Sequence, residues 1–280
     1  MKQKRLVSVQ DISCIGKCSL TAALPVISAF GIETAVLPTA VLSTHTGGFE
    51  NYTFKDLTDE IPKITNHWQS LGFDFDAMYS GYLGNPAQLE IVRDFFVRFK
   101  TSENMIFVDP VMGDDGVLYN GFSDDFPQKM LSLCSVADII TPNVTEAAML
   151  CKTEYRKSYD EKYIRFMAAE LAKTGARTIV ITGISIGRKF GTLCYDTKSR
   201  NFYSYYRDKI EGHYYGTGDI FASALCGALT TGFGFEQSIR IATDFVYESI
   251  LCTQDELEKY KYGVKFEQCL GKITDLVRQK

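Results

Sequence analysis

The chain has 280 residues, 45% of them hydrophobic and 23% charged, with a formal net charge of −4. A chain of this size buries enough surface to fold without disulfide staples, and its weak acidity gives no electrostatic reason to bind nucleic acid or an anionic membrane. No stretch approaches the ~20 apolar residues of a membrane span, and the start MKQKRLVSVQDIS is too polar for a signal peptide.

RLVSV (5–9) reads as a strand and LTAALPVISAF (20–30) as a helix, with Pro25 expected in its tolerant first turns. ETAVL (33–37) and AVLS (40–43) are strand-like runs, followed by a polar loop and a helix over about 56–71. DAMYS (76–80) predicts a strand, and PAQLEIVRDFFVRFK (86–100) a helix whose first residue is proline, where the missing N–H costs nothing. NMIFV (104–108), ADII (137–140) and TIVIT (178–182) read as buried strands. FGTLCYD (190–196) and NFYSYYRDK (201–209), joined by a polar turn, predict an antiparallel hairpin at a sheet edge. Two helices, DIFASALCGALTTG (219–232) and FEQSIRIATDFVYESI (235–250), are expected to close the chain. This alternation predicts an α/β fold in one domain over residues 1–280: a doubly wound, mostly parallel central sheet with helices on both faces and an antiparallel edge hairpin.

The eight cysteines form no CxxC pair and there are three histidines, so a structural zinc site is not expected. Most of the cysteines lie among apolar residues and read as reduced, buried thiols, which fits a cytoplasmic enzyme.

Ligands of an open parallel sheet bind beyond the carboxyl ends of its strands. Polar residues at the strand ends therefore converge: Asp11, His45, Thr46, Tyr82, Asp109, Thr141 and Thr182. DPVMGDDG (109–116) ends a buried strand on an acid and blocks helix with Pro110. An acid there suits a water-mediated magnesium ion, which prefers carboxylate oxygens and keeps its waters. In TPNVTEAAML (141–150), Asn143 and Glu146 have capping-box spacing, so a structural role for Glu146 stands beside one near metal.

YYGTGDIFASALCGAL (214–229) sets Asp219 between a glycine turn and an apolar helical run. The first amides of a helix lack internal partners and point outward at the positive dipole end. A phosphate there would rest on the amides of Thr217, Gly218 and Asp219, approached closely because Gly216 and Gly218 carry no side chain. A cap alone needs no flanking glycines, and Ser or Asn would serve as well. At such a helix start Asp219 is expected to stay ionised at pH 7. Just before it, His213, Tyr214 and Tyr215 read either as a flap over substrate or as filling at the sheet edge.

Other chemistries fit less well. GISIG (183–187) satisfies the serine-hydrolase elbow around Ser185, with His213 downstream, but strand-like sequence follows where a helix is required. There is no GxxxxGK[ST] phosphate loop, and GTGDIF lacks the third glycine of a dinucleotide fingerprint. A binding protein that kept the fold and lost its chemistry is disfavoured by the intact Asp109, Glu146 and Asp219.

In chain order, STHTGG, SGYLG, DPVMGDDG, TPNVTEAAML, VITG and GTGDIFASAL span about residues 6 to 231 and together resemble the ribokinase-like superfamily, within it the pyridoxal kinases. The resemblance implies ATP-dependent phosphorylation of the 5′-hydroxymethyl group of a B6 vitamer (pyridoxal, pyridoxine or pyridoxamine). It implies Asp219 as base, the Gly216–Gly218 turn as anion hole, Mg2+ at Asp109 and Glu146, and Thr141 and Thr182 near the phosphates or a monovalent cation such as K+. It also implies that His45, Thr46 and Tyr82 line the vitamin ring, and that the protein is a homodimer. One position departs: QDIS carries Asp11 where pyridoxal kinases usually have serine. The DIS resembles the start of hydroxymethylpyrimidine kinases, the alternative reading, yet those typically end the glycine motif in cysteine where this chain has Asp219. An acid at position 11 is expected to favour a protonated ring nitrogen or the amine of pyridoxamine.

Overall fold

The computed structural model describes residues 3–280. Its strands are β1 (Arg5–Ile15), β2 (Glu33–Thr44), β3 (Phe54–Asp56), β4 (Ala77–Ser80), β5 (Met105–Val108), β6 (Gly113–Asp114), β7 (Val117–Leu118), β8 (Ile139–Ile140), β9 (Thr178–Ile186), β10 (Lys189–Asp196) and β11 (Asn201–Asp208). The α-helices are α1 (Ser19–Ala29), α2 (Glu60–Ser70), α3 (Pro86–Phe99), α4 (Phe126–Cys134), α5 (Val144–Leu150), α6 (Glu161–Leu171), α7 (Thr217–Thr231), α8 (Phe235–Leu251) and α9 (Leu270–Arg278).

Nine strands form one sheet in the order β11-β10-β9-β8-β5-β4-β1-β2-β3, and β6 and β7 pair separately as a short hairpin. The six central strands from β9 to β2 run parallel. As expected, β10 and β11 add an antiparallel hairpin at one edge. The opposite edge is antiparallel too, through β3, which occupies part of the stretch expected to be loop.

Alternation along the strands sends side chains to two cores. Val7, Val9, Met78, Ile106 and Val108 point to the face covered by α2 to α6. Leu6, Ala77, Tyr79 and Phe107 point to the face covered by α1, α7, α8 and α9. Helix α7 is buried along Ile220–Ala228, because α1 and α8 pack on either side of it as well as the sheet.

Several boundaries differ from expectation for identifiable reasons. The runs at 33–37 and 40–43 are one strand, β2, continuous through Pro38. Opposite it β1 shifts register between Gln10 and Ile12, which accommodates the missing donor. Pro25 lies in the interior of α1, not its first turns. The chain does not end with α8: two 3-10 turns, Gln254–Lys259 and Phe266–Cys269, lead into α9. Cys134, Cys194, Cys226 and Cys269 are buried, but Cys14 and Cys252 are exposed, so burial holds for half of the thiols rather than most. Among the described residues no helix is long and apolar enough to cross a membrane.

Candidate active site

The site lies at the carboxyl ends of β1, β4, β5 and β8, against the first turn of α7. Asp109 directly follows β5 and Thr141 directly follows β8, so the parallel pairing of those strands brings the two side by side. Thr141 Oγ1 donates to Asp109 Oδ1 at 3.0 Å. Asp109 is almost fully buried. Burial first, and then the nearby Asp219 carboxylate, push it up to about 8, against the opposing pull of the Thr141 hydroxyl.

Helix α7 begins without a side-chain cap. Gly216 is its N-cap, in the left-handed region at φ 75°, and no side chain bonds to the first-turn amides. The first internal bond is Ile220 N–H to the Gly216 carbonyl at 3.2 Å, which leaves the N–H groups of Thr217, Gly218 and Asp219 without acceptors among the described residues. The contrast with α5 is direct. There Asn143 Oδ1 accepts from Glu146 N at 2.9 Å and Glu146 Oε2 accepts from Asn143 N at 2.8 Å, a completed capping box.

The two glycines of the turn have different reasons. A Cβ on Gly216 would lie 2.1 Å from the Lys17 carbonyl, and its φ is positive, so both packing and conformation demand glycine. A Cβ on Gly218 would meet nothing within 4 Å. The space over the uncapped amides is open.

Asp219 sits at the rim of that space, half-buried, three residues into α7 counting from its cap. The expectation of an ordinary, ionised carboxylate is overturned. Burial raises Asp219 to about 7 and Asp11 adds to the rise, while the Ser19 amide pulls the other way. The helix start does not offset the loss of water around this group.

Asp11 is not in a loop after the first strand but inside β1, where the register shift leaves it opposite two residues of β2. It is buried, accepts from Ser13 Oγ at 2.9 Å, and burial raises it although Ser19 and Ser13 lower it. Tyr82 follows β4 beside it and is pushed up to about 12 by burial, then by Asp11. Its ring packs on Phe122 at 5.6 Å. His45 accepts from Gly47 N at Nδ1 over 3.1 Å, so Nε2 carries the proton of the neutral ring, and that buried nitrogen faces the Lys261 backbone. Burial lowers the His45 pKa, and the Lys261 backbone opposes that shift. Thr46 is half-buried in the same loop.

Glu146 lies close enough to Asp109 that, after burial, the Asp109 carboxylate raises its pKa, against the pull of two backbone amides. Both oxygens of buried Glu146 accept from backbone amides, Met112 N at 3.0 Å and Asn143 N at 2.8 Å, so it caps α5 and positions the Met112 loop. Thr182 lies within β9 at a second register shift, its amide bonded to the Pro142 carbonyl at 2.9 Å. Ser185 is also inside β9, and the chain turns straight back into β10, so no nucleophile elbow exists. Tyr215 covers the His45 loop, 5.5 Å from the His45 ring, with His213 edge-on to it at 4.6 Å. Tyr215 and His213 thus sit over the His45 loop, whereas Tyr214 packs on the core and donates its hydroxyl to the Glu211 carbonyl.

Sequence reasoning missed the segment Gly16–Ser19. Cys18 lies near both Asp219 and Asp11, which after burial raise its thiol pKa. Ser19 adopts a left-handed φ of 48°. Nothing but Gly16 marked this loop in the sequence. Tyr79 and Ser223 were missed as well: their fully buried hydroxyls face each other below the carboxylates, a placement fixed by the packing of α7 on β4.

A profile of the family described as phosphomethylpyrimidine kinase matches residues 16–265. The chain belongs to that family. Among solved structures, a putative phosphomethylpyrimidine kinase from Bacteroides thetaiotaomicron, crystallised with pyridoxal, superposes with a TM-score of 0.90 at 33% identity, covering 97% of this chain and 96% of that one. Pyridoxal kinase from Lactobacillus plantarum gives 0.89 at 30% identity, with 98% and 97% covered. A Leishmania donovani pyridoxal kinase in complex with ADP and pyridoxamine shares the fold, with a TM-score of 0.87 at 22% identity and 97% and 96% covered. In sequence, the hydroxymethylpyrimidine/phosphomethylpyrimidine kinase of Haemophilus influenzae is 26% identical over 257 residues, 88% of this chain and 91% of that protein. The phosphomethylpyrimidine kinase family member described here is thus a pyridoxal kinase-like or hydroxymethylpyrimidine kinase-like phosphotransferase of the ribokinase-like superfamily.

Proposed function

We propose that this kinase transfers the terminal phosphoryl group of ATP to the 5′-hydroxymethyl group of a B6 vitamer, with Asp219 as base. The observation that carries the reading is the uncapped start of α7, whose free amides face open space at Gly218 beside the Asp219 carboxylate. Phosphoryl transfer proceeds through a loose transition state, so catalysis consists of positioning and charge stabilisation. The amides of Thr217, Gly218 and Asp219 take the developing negative charge, each donor of this type contributing about 3 kcal/mol. Asp219, when ionised, orients the attacking hydroxyl and accepts its proton late in the transfer. Asp11, Tyr82, His45 and Thr46 surround the ring, and Tyr215 covers it.

The residues present fit a magnesium ion held through Asp109, whose buried carboxylate has one oxygen on Thr141. The ion would neutralise phosphate charge there, with waters and phosphate oxygens completing its shell. Glu146 supports this edge through the Met112 loop and not as a direct ligand.

A second reading, phosphorylation of hydroxymethylpyrimidine, is favoured by the Asp11–Ser13 pair at the ring pocket and by the likeness to the Haemophilus influenzae enzyme. The experiment that separates them is a coupled ATP-consumption assay across pyridoxal, pyridoxine, pyridoxamine and hydroxymethylpyrimidine, with magnesium and with or without potassium. Highest kcat/KM on a B6 vitamer upholds the first reading; highest on the pyrimidine replaces it with the second.

A further inference from the structure

Away from the site, Cys252 and Cys269 bring their sulfurs within 3.8 Å of each other. Cys252 caps the end of α8 and is exposed, whereas Cys269 ends the second 3-10 turn and is buried in the core between α8 and α9. The elements carrying them are fixed by the Lys272–Glu248 ion pair at 2.8 Å and by Lys265 N–H donating to Thr253 Oγ1 at 2.9 Å. Bridging requires the sulfurs to approach from there to the ~2.05 Å of a sulfur–sulfur bond.

The segment between the two cysteines reaches the site edge. Tyr262 C=O accepts from Lys17 N at 2.7 Å, and Glu267 pairs with Lys17 Nζ at 2.7 Å. The carbonyl of Lys17 is the group against which Gly216 is packed. Lys17 is thus clasped between this C-terminal segment and the turn that starts α7.

We propose that Cys252 and Cys269 are a redox-active dithiol, oxidised by low-molecular-weight disulfides to an intramolecular bridge that staples residues 253–268 in the conformation clasping Lys17. The Cys252 thiolate attacks one sulfur of the small disulfide, forming a mixed disulfide and expelling the first small thiolate. Cys269, giving up its proton to solvent, then attacks the Cys252 sulfur and expels the second. Two protein thiols and one small disulfide become one protein disulfide and two small thiols. The exposed sulfur is the point of attack; Cys269, raised to about 11 by burial and then by Cys252, is the resolving group.

The test incubates the reduced full-length protein with oxidised glutathione, then applies thiol titration, peptide mapping and hydrogen exchange. The expected result is loss of two of the eight thiols, a peptide linking Cys252 to Cys269, and amide exchange across 253–268 slowed about tenfold or more, all reversed by reductant. C269S is expected to stop at a stable glutathione adduct on Cys252. A lasting adduct in the unmutated protein, a bridge between other cysteines, or unchanged exchange after bridging overturns the proposal.

Discussion

Replacing Asp219 by asparagine separates the two things its carboxylate does. In the free protein burial lifts Asp219 to about 7, from an ordinary value near 4. Between those pH values the native state keeps a proton that the unfolded chain has already released, so stability falls as pH rises through that window. About three units at 1.36 kcal/mol each set a ceiling of about 4 kcal/mol. The solvent-facing edge of the side chain screens part of this, which leaves on the order of 1–2 kcal/mol. Asparagine cannot ionise and keeps the shape. D219N is therefore expected to equal the parent in stability at pH 4 and to exceed it at pH 8 by that amount, in urea unfolding without nucleotide. Its kcat should fall by at least about two orders of magnitude, the contribution of a positioned base. In the parent, kcat/KM should rise with pH through about 7 as Asp219 ionises, and the variant should lose that limb. A variant that turns over within tenfold of the parent, or shows no stability gain at pH 8, refutes this account.

Further outcomes follow from neighbouring geometry. G216A places a methyl group against the Lys17 carbonyl at positive φ and should lower stability by about 2 kcal/mol in thermal unfolding. G218V enters open space without strain and should leave the unfolding midpoint nearly unchanged while abolishing turnover, because it fills the volume over the free amides. E146A strips the acceptors from the Met112 and Asn143 amides and should cost about 2 kcal/mol or more in chemical unfolding, since buried donors are left unpaired. D11S should change the ratios of kcat/KM among the three B6 vitamers; unchanged ratios would remove Asp11 from substrate selection.

Local patterns in the chain were sufficient for the parallel sheet, its edge hairpin and the position of its ligand edge, but not for α4, α6, α9 or the β6–β7 hairpin. Alternating buried strands and helices imply a parallel sheet, and a parallel sheet gathers the residues at its strand ends, so Asp109 and Thr141 were legible as neighbours from the chain alone. The uncapped amides of α7 follow from two glycines ahead of an apolar helix, and the Asn143–Glu146 box from a three-residue spacing. Such features depend on residues close together in the chain and on backbone hydrogen bonding.

Tertiary structure alone decided the rest, because it depends on contacts between distant segments. Burial of Asp219 among β1, α1 and α7 set its proton affinity, overriding the helix-start effect that the sequence makes visible. The register shift opposite Pro38 put Asp11 inside a strand. Both oxygens of Glu146 were claimed by amides, one of them 34 residues away. The clasp of residues 260–267 on Lys17, 250 residues distant at Glu267, has no local signature, since solvent exclusion and long-range packing are properties of the assembled chain.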